Sequence, residues 1–236
     1  MQQELVIVLI TWAAGVTALV GGLAARFETF RESVAKQEFI HAIVAFGGGA
    51  LLAAVAFALA PHGMETLSPL VLAISFCAGA LLFCGLDAFL AKRGGTFSQF
   101  LAMLMDFIPE ALSLGAIFAG NRQMGLVLAA FIGMQNLPEG FNAFRELKKS
   151  GVSGAVILWV FLGVSFLGPA AALVGYYFLQ GREEVTAIVM TFAAGGILYL
   201  IFQDIAPQAT MRRHWTPPLG AILGFLVGML GTVVIA

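Results

Sequence analysis

The chain has 236 residues, 60% of them hydrophobic and only 11% charged, with 12 Lys and Arg against 13 Asp and Glu. A soluble domain carries about 25% charged residues. So few charges cannot cover a globule of this size, which excludes a soluble enzyme or nucleic-acid binder. The net charge of −1 points to no partner, and Cys77 and Cys84, both inside one apolar run, offer neither a disulfide framework nor a thiolate cluster.

A spanning helix needs about 20 mainly apolar residues. Eight stretches qualify, at 4–25, 40–60, 69–91, 98–119, 123–144, 154–178, 185–207 and 215–236. The runs are continuous where a β-barrel would alternate, and the first is followed too evenly by further spans to read as a cleaved signal peptide. The connectors leave no room for a soluble domain. The predicted fold is an all-α integral membrane protein, one membrane domain over 1–236, multi-pass in a plasma or bacterial inner membrane.

Ten of the twelve basic residues fall in odd-numbered connectors: Arg26, Arg31 and Lys36; Lys92 and Arg93; Arg145, Lys148 and Lys149; Arg212 and Arg213. Arg122 and Arg182 stand alone on the other side. The positive-inside bias therefore predicts both termini outside. An internal repeat is visible at an offset of 146, with Phe46, Gly49, Leu52, Ala60 and Pro61 matched by Phe192, Gly195, Leu198, Ala206 and Pro207. Span two runs outward and span seven inward, so the copies would be inverted, as in many secondary transporters. The alternative is that Gly- and Ala-rich helices resemble each other by composition. With repeats, the eight helices form a 3+2+3 arrangement: a three-helix repeat at 1–91, a central pair at 98–144 and a second repeat at 154–236.

Five acidic residues lie inside spans: Asp87, Asp106, Glu110, Glu139 and Asp204. Each costs about 2.5–3.5 kcal/mol at a helix centre on translocon scales, and no Lys or Arg stands at the same depth. The positive charge must come from bound cations or protons. Span four reads Met105-Asp106-Phe107-Ile108-Pro109-Glu110-Ala111, and span five reads Gln135-Asn136-Leu137-Pro138-Glu139-Gly140. Asp106 and Glu110 share one helix face, as do Gln135 and Glu139. Antiparallel neighbours bring all four to one level, as three carboxylates and an amide oxygen. Pro109 and Pro138 each free a backbone carbonyl beside them. Crowded carboxylates repel one another, and a divalent cation removes that repulsion. Oxygen ligation suits Mg, Ca and Mn, and Fe and Zn tolerate it. Asp87 and Asp204 sit near the cytoplasmic ends, with structural or exit-path roles. His62 and Glu65 face the outer connector, as a solvated loop or a cation entrance, while His41 and His214 look interfacial.

At these residues the sequence resembles the ZIP (Zrt/Irt-like) family of divalent metal transporters. The span-four motif, His-Asn-x-Pro-Glu/Asp-Gly, corresponds to Asp106, Phe107, Ile108, Pro109, Glu110 and Ala111. The span-five motif corresponds in full to Gln135, Asn136, Leu137, Pro138, Glu139 and Gly140. The stretch 192–207 looks like the family's seventh span, with Asp204 at its usual acidic position. The resemblance implies eight spans, both termini outside and a metal site of Asp106, Glu110, Gln135, Glu139, Asn136 and Asp204. Asp106 departs from the family's histidine, Phe107 from the asparagine of a second metal position, and Gly168 from the Glu that often precedes the span-six proline. The connector after span three is short and has no histidine. The first metal position is therefore expected in altered chemistry and the second largely lost.

The predicted function is transport of a divalent cation of the Zn, Fe or Mn class, with Cd also admitted, toward the cytoplasm. The two repeats would move against the central pair, and carboxylate protonation would lower metal affinity. No catalytic residue, cofactor, nucleotide motif or nucleic-acid partner is expected. The partners are the cation and the lipid bilayer, with a homodimer left open. The alternatives are a proton-coupled carrier of a small organic solute, which three acids without a base disfavour, and a non-transporting structural membrane protein.

Overall fold

The computed structural model describes residues 2–28, 33–92, 98–212 and 214–235. Arg31, Arg93 and Arg213 of the basic connectors lie outside the described residues. The described residues form long helices on all eight expected stretches: α1 (Gln2–Phe27), α2 (Val34–Thr66), α3 (Pro69–Ala91), α4 (Ser98–Phe118), α5 (Arg122–Lys149), α6 (Gly154–Leu179), α7 (Glu183–Ala209) and α8 (Thr216–Ile235).

Several ends extend past the apolar runs, for local reasons. Ser33 caps α2, its hydroxyl accepting from the Lys36 amide at 3.1 Å, so that helix starts before its hydrophobic stretch. α5 continues to Lys149, because Arg145 through Lys149 are good helix formers and Lys148 and Lys149 in the last turn complement the helix dipole. Seven of the helices are long and apolar enough to cross a membrane; α5 falls short of that composition because of its polar residues and charged tail. The chain is an all-α, multi-spanning membrane protein. Large apolar side chains such as Leu81, Trp159, Phe178 and Val233 point outward, as lipid requires.

Helix packing is by backbone approach. A Cβ at Gly21 would stand 2.0 Å from the Leu137 carbonyl oxygen, and one at Gly140 2.1 Å from that of Ala18, so α1 and α5 touch along their backbones. Gly115 and Gly175 join α4 to α6 the same way, at 1.8 Å from the Ala172 oxygen and 1.9 Å from the Leu112 oxygen. Small residues allow this where no hydrophobic force drives helices together in lipid. α1, α4, α5 and α6 thus pack as one bundle, flanked by α2 paired with α8 and α3 paired with α7.

α2 and α7 each widen into a single π turn, at Val55–Leu59 and Ile201–Ile205. Each is followed within two residues by a proline, Pro61 or Pro207. A proline cannot donate to the carbonyl four residues back, and a π turn re-registers the ladder around the gap. The two turns start 146 residues apart, the offset of the sequence repeat.

Candidate metal site: a carboxylate cleft between α4 and α5

The i,i+4 spacing places Asp106 and Glu110 on one face of α4, and Gln135 and Glu139 on the facing side of α5. All four are buried, Glu110 and Gln135 completely. Gln135 Nε2 donates to Glu110 Oε2 at 2.5 Å. Asp106 and Glu139 approach each other across the cleft, and Glu110 lies within electrostatic reach of both. No Lys or Arg is buried with them among the described residues.

The hydrogen-bond balance of the cleft is incomplete. One oxygen each of Asp106 and Glu110, both of Glu139, and the amide oxygen of Gln135 are buried without a partner. An unsatisfied buried polar group costs about 1–3 kcal/mol, and more when charged. Acceptors without donors, concentrated between two helices, are what a cation satisfies and a neutral packing partner does not. Among the described residues no three His, Cys, Asp or Glu side chains stand at metal-coordinating spacing, so the carboxylates are brought near one another without forming a closed cage.

The structure gives the candidate ligands different surroundings. Gln135 turns its NH2, not its oxygen, toward Glu110. Asn136 is buried but turned to α1, where its Nδ2 donates to the Ala14 carbonyl at 3.2 Å and its Oδ1 is unpartnered. Asp204 stands apart from the cleft, half-buried on the π turn of α7, with Asp87 and Glu146 as its charged neighbours. Asp87 in turn accepts from the Tyr199 hydroxyl at 3.0 Å. His41 Nδ1 lies 2.6 Å from the Gln208 carbonyl, and His214 lies 3.5 Å from the Glu38 carboxylate.

Phe107 and Gly168 form one packing unit. The Phe107 ring is 1% exposed, and its Cζ lies 2.5 Å from where a Cβ of Gly168 would be and 2.9 Å from that of Gly15. The ring fills the slot between α1 and α6 that a side chain at 168 would need. The sequence marked both positions as lacking ligands, but not that one occupies the space of the other.

Two cavities lie at opposite ends of the bundle, one of them at the His62 end that the sequence marked as a solvated loop or a cation entrance. One, about 660 Å³, is lined by Gln37, His41, Gln99, Asn142, Arg145 and Glu146, among others. Asn142 is three residues on from Glu139, so this cavity begins about one helical turn from the cleft. The other, about 430 Å³, opens beside His62 and Glu183. The available signal was polar residues continuing one helix face beyond the motif.

No protein-family model matches the chain. It is similar to the zinc transporter ZIPB of Bordetella bronchiseptica, 26% identical over 213 residues that cover 80% of this chain and 69% of that protein. The zinc transporter GufA of Myxococcus xanthus is 33% identical over 134 residues, 55% of this chain and 52% of the relative. The human zinc transporter SLC39A7 is 27% identical over 151 residues, which span 61% of this chain and only 32% of that protein. The matched segment is thus about half of GufA and a third of SLC39A7. Modest identity to several separate zinc transporters, together with the buried Pro-Glu motifs of α4 and α5, supports a place for this chain in the ZIP family of divalent metal transporters.

Proposed function

We propose that the chain carries a divalent metal cation, of the Zn, Fe or Mn class, across the membrane toward the cytoplasm through the cleft of Asp106, Glu110, Gln135 and Glu139. Homology supports divalent-cation transport in general. The specific route rests on one observation: three buried carboxylates with unpartnered oxygens and no buried base. Of their three negative charges a divalent ion offsets two, and the Gln135 amide donor with one proton on the carboxylate set meets the third. An organic anion would be repelled by the same set.

The orientation assumed for this route is the one the positive-inside bias predicts, with Arg145, Lys148 and Lys149 in the cytoplasm and both termini outside. The inverted-repeat reading, 3+2+3 in sequence, is supported by the matched π turns and by equivalent pairings of α1 with α5 and α6 with α4. The glycine contacts bind α1, α4, α5 and α6 into one body. Alternating access is then movement of that body against α2 with α8 and α3 with α7, in place of the sequence-based division into two repeats moving against the central pair. Protonating a carboxylate removes one ligand charge and lowers metal affinity, so release and proton uptake are linked.

The test is uptake into proteoliposomes of purified protein, with Zn, Fe, Mn, Co and Cd in competition. Uptake of at least one ion that Glu110→Gln abolishes is expected. Absence of uptake for all five refutes the proposal.

A further inference from the structure

The cavity beside His62 has a composition unlike its counterpart at the other end. His62 lies just past Pro61 on α2, Asn121 caps α5, Gln180 ends α6, and Glu183 and Thr186 open α7. All five line the same space of about 430 Å³, and no Lys or Arg lines it among the described residues. The cavity at the opposite end is lined by Arg145 and Lys149, and its histidine, His41, is already paired with the Gln208 carbonyl. His62 Nε2 is buried and has no partner.

We infer that the His62 cavity is a separate cation-capture site, with the His62 imidazole as nitrogen ligand, Glu183 as the charged ligand, and Gln180 and Thr186 as neutral oxygens, while Asn121 keeps its Oδ1 on the Met124 amide. The inference rests on the transport reading above, which places this end outside. One imidazole and one carboxylate suit borderline divalent ions such as Zn, Co and Ni better than Mg or Ca. A single negative charge and a flexible amide ligand make the site weak, which suits transfer better than storage. Glu65, the sequence candidate for a partner, is not among the lining residues. A step inward is also polar: Gly63 packs on Thr191, whose Oγ1 would stand 2.0 Å from a Cβ there and is itself buried and unpartnered. Thr191 lies eight residues past Glu183, about 12 Å further along α7 at 1.5 Å per residue.

The chain has three histidines, so protein labelled with nitrogen-15 histidine in detergent micelles gives an imidazole spectrum that His62→Asn assigns. Zinc chloride is titrated into the wild type and into the Glu110→Gln/Glu139→Gln double variant. The His62 signal should move with zinc in both proteins, at concentrations that leave His41 and His214 still. In proteoliposomes, His62→Asn and Glu183→Gln should each raise the KM for zinc about fivefold or more, with the maximal rate kept within about twofold, since capture contributes to binding and not to the later steps. A His62 signal unmoved by zinc overturns the inference, and so does an unchanged KM in both variants. If the wild type takes up no metal yet His62 still binds zinc in the double variant, the transport reading falls and the site stands.

Discussion

Replacing Gly168 by alanine adds one methyl group where the structure has no room for it. The new Cβ would stand 2.5 Å from Phe107 Cζ and 3.1 Å from the Thr11 carbonyl oxygen. Ordinary contact needs about 3.4 Å, so the ring must retreat by nearly 1 Å. Its retreat toward α1 is limited, because it already lies against Gly15, its Cζ 2.9 Å from where a Cβ of that residue would be. Overpacking of this kind costs about 1–3 kcal/mol. Gly163→Ala on the same helix is the control, since a Cβ there meets nothing within 4 Å; it should be neutral or gain up to about 1 kcal/mol from helix propensity. Phe107→Ala alone should cost about 3–5 kcal/mol through the void it leaves. In the Phe107→Ala background, Gly168→Ala should cost much less, because only the 3.1 Å approach to the Thr11 carbonyl oxygen remains, an interaction energy of about 1–3 kcal/mol in the double-mutant cycle. Chemical unfolding in detergent micelles, followed by tryptophan fluorescence, measures all four proteins. If Gly168→Ala costs the same with and without the ring, Phe107 is not what fills the slot. The same packing predicts that Gly168→Glu alone destabilises the protein without adding a ligand.

Glu110→Gln should fold, because the new amide oxygen still accepts from Gln135 Nε2. Metal-dependent thermal stabilisation, about 2.7 kcal/mol at a ligand concentration of one hundred Kd, should largely vanish in it; full retention would remove Glu110 from the site. Asp106→Asn should weaken uptake of every divalent ion tested, whereas Asp106→His should shift competition toward Zn and Cd over Mn, because nitrogen is the softer ligand. Identical metal ratios in all three proteins would show that Asp106 does not touch the ion. Uptake by the wild type should fall as pH is lowered, since protonated carboxylates bind metal poorly, and a rate rising steadily toward acid pH contradicts this. A cysteine at Lys148 should react with an impermeant thiol reagent only from the cytoplasmic side and one at Glu65 only from outside, in a Cys77→Ser/Cys84→Ser background; labelling of both from one side contradicts the orientation.

The eight helices were legible in the sequence because a membrane span has a one-dimensional signature: an unbroken apolar run of sufficient length. Most of the cleft was legible for the same kind of reason. A carboxylate in a span is costly, so Asp106, Glu110 and Glu139 stand out, and i,i+4 spacing within one helix fixes which of them share a face. Phe, Gly, Leu, Ala and Pro positions match at one offset in the sequence, and two of the three π turns among the described residues fall at the same offset. Relations between helices were not legible, because spacing along a chain does not set how one helix is rotated against the next. Only tertiary packing turned Asn136 to the Ala14 carbonyl, left Asp204 out of the cleft, aimed the NH2 of Gln135 at Glu110 and seated the Phe107 ring against Gly168. His62 and Glu183 are 121 positions apart in the chain. They line one cavity because the packing of α2 beside α7 brings the Pro61 end of one helix to the start of the other.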